Sequence, residues 1–256
     1  MRVVTWNVNS LRARMDRLAS WLKYADPDVV CLQETKVQDS GFPYEEIAAM
    51  GYHSVHYGVS QWNGVAILSK RVPEEVQIGF IEPWDAQEAR IVTALIDGIS
   101  ISSVYVPNGR SLEDDHYLFK LEWLKRLERE VSGRLSRSES VLIAGDFNVA
   151  PQDLDVWDPE EFVGATHVSP AERRALEAIY EVGLVDVFRG IYPDQRIYTW
   201  WDFRRGAFHK GQGLRIDLVL ADLDLAARAV WGLMDREARK GEKPSDHAPV
   251  IIDFQS

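Results

Sequence analysis

The stretch Gly145-Asp146-Phe147-Asn148 directly follows an apolar run, residues 141–144, of the kind that fills a buried strand. A carboxylate and a carboxamide two residues apart are costly to bury unless a partner binds them, and Gly145 lets the backbone turn or approach another group closely. Two interpretations are open. Either the strand delivers Asp146 and Asn148 to a cation or a reacting group, or both are ordinary turn residues at a strand exit.

Other predicted strands carry the same kinds of side chain at their ends, which favours the first interpretation. The polar residues at these ends or in the adjoining loops are Asn7, Glu34, Asn108, Asp217, Asp246 and His247. Many such groups indicate one shared site built from scattered loops. Because carboxylate and amide oxygens suit Mg²⁺, with Mn²⁺ as a substitute, the sequence predicts a magnesium site.

His247 is weighed separately, because a lone histidine is more often structural than catalytic. It directly follows Asp246, and neighbours on a strand point to opposite sides, so the two side chains can serve different functions. Asp217 is the best candidate to orient the imidazole and favour its charged form. A charged histidine beside a phosphate would stabilise a transition state.

Several function classes are excluded by missing motifs. The sequence has no Cys/His zinc spacing, no GxGxxG or GxxxxGK[ST] phosphate loop and no GxSxG elbow. Cys31 is the single cysteine and cannot form an internal disulfide. This cysteine usage, together with a start that lacks a signal peptide, predicts a reducing, cytoplasmic location.

The net charge of −11 over 256 residues argues against non-specific attraction of the whole surface to a polyanion. It leaves room for a nucleic-acid partner that is held by a local basic rim or by bound cations. No segment approaches the roughly 20 apolar residues of a membrane span, so no membrane partner is expected.

The order of elements predicts an α/β fold. A strand at 2–8, a helix at 11–24 and a strand at 28–32 form a βαβ-like opening. A mainly antiparallel meander over 52–106 and a helix over 112–131, with an apolar stripe from Leu118 to Val131, come next. Further predicted strands include 198–201, 216–220, 229–233 and 250–254. Two sheets with helices on their outer faces, in one domain over residues 1–256, would explain this pattern.

Six motifs in order resemble those of the exonuclease III family of abasic-site (AP) endonucleases, within the endonuclease/exonuclease/phosphatase superfamily. They are Trp6-Asn7-Val8-Asn9-Ser10-Leu11-Arg12, Leu32-Gln33-Glu34-Thr35-Lys36, Tyr105-Val106-Pro107-Asn108-Gly109, Gly145-Asp146-Phe147-Asn148, Leu214-Arg215-Ile216-Asp217 and Ser245-Asp246-His247. The resemblance implies a four-layer α/β sandwich, with two mainly antiparallel or mixed sheets packed face to face. It also implies a monomer that cleaves double-stranded DNA 5′ to an abasic site, leaving a 3′-OH. Accompanying 3′→5′ exonuclease and 3′-phosphatase or phosphodiesterase activities on 3′-blocked ends are expected.

The same resemblance implies a role for each candidate residue. Glu34 would bind Mg²⁺ with support from Asn7 and Asp246. Asp146 would position or deprotonate the attacking water, and Asn148 would hold the phosphate or that water. His247, oriented by Asp217, would contact the phosphate, which Tyr105 and Asn108 would also reach. A two-metal arrangement would instead use Asp146, Asn148 and His247 as ligands of a second ion.

Substrate choice is expected to lie in the loops. Trp200, Leu214 and Ile216 match the family's apolar pocket for a flipped-out baseless sugar, although they could be core residues. A predicted basic rim for DNA phosphates comprises Arg12, Arg14, Lys36, Arg110, Arg204, Arg205, Lys210 and Arg215. Taken singly, these residues are equally typical of a solvated surface.

Two alternatives stay open from the sequence. The first is another phosphodiesterase of the superfamily, a non-specific nuclease or a lipid or inositol phosphatase. The second is a DNA-binding homologue that has lost activity, against which the full set of carboxylates, amides and histidine argues.

Overall fold

The computed structural model describes residues 1–84, 88–137 and 139–255, and two six-stranded sheets form the centre of this part of the chain. The strands are β1 (Arg2–Asn7), β2 (Val29–Gln33), β3 (His53–Tyr57), β4 (Val65–Ser69), β5 (Glu74–Ile78), β6 (Ile91–Ile96), β7 (Ile99–Tyr105), β8 (Ser140–Asp146), β9 (Leu184–Asp186), β10 (Asp217–Asp222), β11 (Ala229–Met234) and β12 (Val250–Phe254). The helices are α1 (Leu11–Ala25), α2 (Tyr44–Ala49), α3 (Asp115–Ser136), α4 (Pro170–Glu181), α5 (Val187–Ile191), α6 (Ala207–Lys210) and α7 (Leu223–Ala226).

Each sheet contains one parallel pair among antiparallel neighbours. Sheet one has the order β11-β12-β1-β2-β4-β3, and sheet two has the order β5-β6-β7-β8-β10-β9. The parallel pairs are β1 with β2 and β7 with β8. A parallel pair needs a long crossover, which α1 provides in sheet one and α3 in sheet two. The two strands of each parallel pair therefore end at the same edge of their sheet, and the loops that follow these four strands leave from that edge.

The layers follow from which apolar side chains pack together. One cluster joins the facing sides of both sheets and includes Cys31 from sheet one and Ala144 from sheet two. A second cluster packs α1 and α2 on the outside of sheet one. A third packs α3 and α4 on the outside of sheet two. This order of helix, sheet, sheet and helix confirms the predicted four-layer α/β sandwich.

Two predictions about the elements were wrong. The segment 198–201 is not a strand: within the described chain it makes isolated bridges only, from Trp200 to Leu214 and to His247. Leu118 is 64% exposed, because the buried face of α3 includes Tyr117 and Trp123 and leaves Leu118 on the solvent side. The stripe also buries Lys120, which the periodicity of apolar residues could not indicate.

The inner faces of the sheets change from apolar to polar at one end. Side chains on a strand alternate between its two faces, and Leu142 and Ala144 of β8 lie in the cluster between the sheets. Asp146 is the next residue in that series, just as Asn7 follows Val3 and Thr5 on β1. Gly145 is needed at this point, because a Cβ there would lie 1.9 Å from the Val104 carbonyl oxygen. The strand pattern thus delivers polar groups to the seam between the sheets.

Of the helices in the described ranges, none has the length and apolar character needed to cross a membrane.

Candidate active site

A row of three polar residues crosses adjacent strands of sheet two. Asp146 of β8 pairs in register with Tyr105 of β7 on one side and with Asp217 of β10 on the other. His247, from the loop before β12, lies over this row. Its Nδ1 is 2.8 Å from Asp217 Oδ2, and its Nε2 is 3.7 Å from Asp146 Oδ2. Asp217 therefore orients the imidazole, as the sequence led us to expect.

Asn7 links the two sheets at this seam. Its amide nitrogen donates to Glu34 Oε1 at 2.8 Å and to Asp146 Oδ2 at 2.9 Å. Its amide oxygen accepts the backbone N–H of Asn9 at 3.0 Å. Glu34 follows β2 with a φ of 50°, an uncommon value for a residue with a side chain. One carboxylate from each sheet is thus held against a single amide.

The charges of the site are set by burial and by one another. Burial, followed by the carboxylates of Asp217 and Glu34, raises the pKa of Asp146 to about 7, although His247 opposes the rise. Burial alone would lower the pKa of His247, but Asp217 and Asp146 outweigh it and raise that pKa to about 10. His247 is therefore an imidazolium at neutral pH. Burial, with Glu34 next, raises the pKa of Tyr105 well above its usual value, so the phenol stays protonated.

The donor set fits a hard divalent cation. Glu34, Asp146 and His247 each offer an atom, and these atoms all lie within 4.8 Å of one another. Burial, and after it the neighbouring carboxylates of Asp217 and Glu34, raise the pKa of Asp146 against the influence of His247, so a further cation would stabilise its ionised form. Glu34 and Asp146 offer carboxylate oxygens of the type that Mg²⁺ prefers. The Asn7 amide presents its nitrogen to both of them, so its predicted support of the metal stays a prediction. His247 would have to lose its proton to act as a ligand, so its charged state favours phosphate contact over the two-metal arrangement.

Asp246 lies apart from this group of three. One of its carboxylate oxygens accepts the Asn9 side-chain amide at 2.9 Å, and the other accepts Trp200 Nε1 at 3.0 Å. These contacts tie it to the Trp200 loop. Its predicted support of the metal stays a prediction.

Asn108 and Asn148 meet beside residues that the sequence did not single out. Asn108 Nδ2 lies 3.3 Å from Asn148 Oδ1, and His167 Nε2 lies 3.1 Å from both atoms. Lys120, which is fully buried, donates to the Asn148 carbonyl at 2.7 Å and to the Asn108 carbonyl at 3.2 Å, and it also contacts Glu172.

One sequence signal pointed to part of this group. The sequence Ser169-Pro170-Ala171-Glu172 has the residue spacing of a capping box, and the structure shows this capping box at the start of α4. It fixes the carboxylate that neutralises Lys120. His167, whose φ of 78° is unusual for a side-chain-bearing residue, had no motif to mark it.

The three residues of the predicted sugar pocket do lie together. Leu214 and Ile216 are 0% and 2% exposed, in an apolar cluster against which Trp200 packs. Only Trp200 of the three is partly exposed. The His167 ring lies nearly parallel to the Trp200 ring, at 11° and with 6.4 Å between centroids. The pocket stays a prediction, with His167 as an additional neighbour.

The predicted basic rim is only partly a free surface. Its exposed members are Arg12, Arg110, Arg204, Arg205 and Lys210. Arg14 donates to two backbone carbonyls, and Lys36 contacts Glu34 at 2.8 Å, so both are partly engaged within the protein.

The prediction that Arg215 belongs to this rim was wrong. Arg215 is 1% exposed, and it pairs with Asp155 at 2.6 Å and with Asp186 at 2.7 Å. The two carboxylates compensate its charge in the interior, which makes the burial of this arginine tolerable.

Comparison with known proteins agrees with this geometry. The profile of the Endonuclease/Exonuclease/phosphatase family matches residues 4–247. Exodeoxyribonuclease III of Haemophilus influenzae is 34% identical, with 100% of both chains covered. The structure of an AP endonuclease from Archaeoglobus fulgidus is 39% identical, with a TM-score of 0.96 over 100% of both chains. The structure of the 3′ phosphatase NExo from Neisseria, bound to a product DNA hairpin, is 36% identical, with a TM-score of 0.98 over 100% of both chains. The chain therefore belongs to the endonuclease/exonuclease/phosphatase family, and within it to the exonuclease III family of AP endonucleases.

Proposed function

We propose that this DNA-repair phosphodiester hydrolase uses Mg²⁺ to cleave double-stranded DNA 5′ to an abasic site, leaving a 3′-OH. The observation that carries the proposal is the charged His247 facing Asp146 in a cluster of buried carboxylates. Hydrolysis of a phosphodiester needs a positioned water, a proton acceptor and positive charge at the phosphate. The site offers a group for each of these needs.

Asp146 is placed to accept the proton of the attacking water. Its Oδ1 accepts the Asn148 N–H at 2.9 Å and its Oδ2 accepts the Asn7 amide at 2.9 Å, so the carboxylate is held in one orientation. A pKa of about 7 suits a general base near neutral pH.

His247 and the neighbouring amides are placed to bind the phosphate. With Nδ1 directed at Asp217, the His247 Nε2–H is free to donate to a phosphate oxygen. Asn108 and Asn148 add amide donors, and the protonated Tyr105 phenol is available to the leaving oxygen. Glu34, with the predicted support of Asn7 and Asp246, would hold Mg²⁺, which would neutralise negative charge on the phosphate and leave Asp146 to accept the proton.

The test is a gel assay on one duplex oligonucleotide, with and without a single abasic site, in Mg²⁺ and in EDTA. We expect EDTA-sensitive nicking at the abasic site only. Release of phosphate from inositol phosphates, with the abasic duplex intact, would support the rival phosphatase function instead. DNA binding without nicking would identify an inactive homologue.

The position of His167 favours a second candidate function, processing of 3′-blocked ends. The imidazole stands beside Trp200 and contacts Asn108 and Asn148, so it takes up space next to the predicted sugar pocket. A terminal 3′-phosphate requires no flipped-out sugar. The Neisseria protein of similar structure is itself a 3′ phosphatase.

A comparison of substrates separates the two candidates. The same enzyme preparation is given an internal abasic duplex and a nicked duplex with a 3′-phosphate, at equal concentration. A preference for the internal abasic site supports the first candidate, whereas cleavage of the 3′-phosphate alone supports the second. His167→Gly, which also relieves the positive φ, is expected to raise the relative rate on the internal site if the imidazole restricts the pocket.

A further inference from the structure

The loop that carries Glu34 is held in an uncommon conformation. Glu34 and Lys36 both have positive φ, at 50° and 53°. Such values are strained for residues with side chains, so the surrounding structure must impose them. Thr35, which lies between them, is completely buried. Whatever fixes Thr35 therefore also fixes the direction of the Glu34 side chain.

The backbone of this loop is bound on both sides. Thr35 N donates to the Gly64 carbonyl at 3.1 Å, and Lys36 N donates to the Asn63 carbonyl at 2.8 Å. The Glu34 carbonyl accepts the Ser10 N–H at 2.7 Å. A Cβ at Gly64 would lie 2.1 Å from Thr35 Oγ1, so the two segments are in close contact at the threonine hydroxyl.

That hydroxyl continues into a chain of polar groups, which is buried at Thr35 and His56 and reaches the surface at Asp39. Thr35 Oγ1 lies 2.9 Å from Nε2 of His56, whose residue exposure is 5%. His56 Nδ1 lies 2.7 Å from Asp39 Oδ1, with the oxygen off the N–H axis, so the contact is close and polar without being a well-aligned hydrogen bond. Phe42 stacks on the imidazole with 4.1 Å between ring centroids.

The proton positions in this chain follow from the contacts. An unprotonated Nδ1 only 2.7 Å from a carboxylate oxygen would be repelled by it, so Nδ1 carries the proton. Burial lowers the pKa of His56 to about 4, against the opposing influence of Asp39, so the ring is neutral at pH 7. Nε2 of the neutral ring is then an acceptor, and the Thr35 hydroxyl must donate to it.

We propose that Asp39, His56 and Thr35 form a positioning chain that holds Glu34 toward the divalent cation. The inference rests on the proposed function in that Glu34 is taken as a metal ligand. None of the three residues is placed to touch substrate or metal; they act through Glu34. Outer-shell partners of metal ligands typically change metal affinity 10–100-fold when removed. The chain should therefore control cation affinity and leave the hydrolytic step at saturating cation nearly unchanged.

The experiment compares direct Mn²⁺ binding to DNA-free protein, by electron paramagnetic resonance, in the wild type, Thr35→Val and Thr35→Ser. Thr35→Val keeps the side-chain shape and removes the hydroxyl, and we expect about tenfold weaker binding. Thr35→Ser keeps the hydroxyl and should bind within about twofold of the wild type. His56→Phe, which keeps the stacking on Phe42, is a second variant with the same expected loss.

Thr93→Val is the matched control. Thr93 is 1% exposed, and its hydroxyl pairs with Ser102 at 2.7 Å, so this variant also loses a buried hydroxyl bond. Its melting temperature should fall about as much as that of Thr35→Val, with unchanged Mn²⁺ affinity. Because Thr35→Val and His56→Phe break one chain, their double variant should be no worse than either single one.

The inference is overturned if Thr35→Val and His56→Phe both bind Mn²⁺ as the wild type does, or if Thr93→Val weakens binding equally. It is also overturned if the wild type binds no Mn²⁺. The proposed function fails separately, when a wild type that binds Mn²⁺ cleaves none of the DNA substrates.

Discussion

Two clusters of largely buried charge involve strands of sheet two, and they differ in their balance. In the arginine cluster, Arg215 and Arg189 face Asp155 and Asp186, so positive and negative groups are equal in number. In the active-site cluster, the three carboxylates of Asp146, Asp217 and Glu34 face two cations, His247 and, at the edge, Lys36. Buried ions are tolerated when they are paired. The balanced cluster needs no further partner, whereas the unbalanced one is suited to a cation and a proton transfer.

Asp146→Asn should have the largest effect on activity. It removes the proton acceptor at the unbalanced cluster, and loss of a general base typically lowers the rate about 10²–10⁴-fold. DNA binding, measured by fluorescence anisotropy, should largely survive. Near-normal cleavage by this variant would show that another group takes the proton.

The same variant should gain stability when metal is absent. The folded-state pKa of Asp146 is raised to about 7, above an unfolded value near 4. Ionisation of this carboxyl therefore destabilises the fold progressively as the pH rises from about 4 to about 7. The melting temperature of Asp146→Asn relative to the wild type should increase over that interval. A constant difference across those pH values would argue against an unbalanced site.

Asp155→Asn tests the balanced cluster. It leaves Arg215 and Arg189 with too little negative charge, and breaking a buried pair typically costs about 3–5 kcal/mol of stability. Chemical denaturation would measure the loss. The rate per folded molecule at low temperature should fall far less than in Asp146→Asn. A larger loss of rate than of stability would mean that this cluster contributes to the chemistry.

Mg²⁺ should stabilise one cluster only. A ligand at 100 times its dissociation constant adds about 2.7 kcal/mol to the free energy of unfolding. The wild type and Asp155→Asn should both show a rise in melting temperature with Mg²⁺, whereas Asp146→Asn should show a smaller one. Calorimetry in EDTA and in excess Mg²⁺ provides the comparison. An equal rise in all three proteins would place the cation elsewhere.

The smallest effect is expected for exposed charge, which belongs to neither cluster. Lys210→Ala should weaken DNA binding uniformly across sequences and reduce the slope of log affinity against log salt by about 1. Asp224→Ala, an exposed acidic position, serves as a surface control. An unchanged slope for Lys210→Ala would remove this residue from the rim.

The fold and the active-site row could be predicted because their signals are local. Apolar runs, the glycine at 145 and the capping box at Ser169 each mark an element within a few residues. Asp146 and Asp217 stand at strand ends, where the alternation of side chains already assigns a face.

The errors and omissions concern contacts between distant segments. The partners of Arg215, Asp155 and Asp186, are separated from it by 60 and 29 residues. The sequence around Arg215 therefore gave no sign that it is buried, and it was assigned to the rim. Lys120 is buried although no apolar signal marks its position, and its partners come from three other segments. His167 and His56 likewise have no local pattern. Tertiary packing determines whether such residues are buried and what they contact, and a short window of sequence does not contain that information.

The amide of Asn7, which bridges the two sheets, links the packing of the core to the geometry of the active site. Because Asn7 binds Glu34 of one sheet and Asp146 of the other, the width of the seam fixes the distance between these carboxylates. The seam is filled by side chains such as Cys31 and Ala144, which never meet a substrate. Substitutions that enlarge or shrink these side chains would change the distance between the two carboxylates, and with it the affinity for the cation. Interior packing thereby becomes a route by which relatives of one fold can drift in metal requirement while every site residue stays the same.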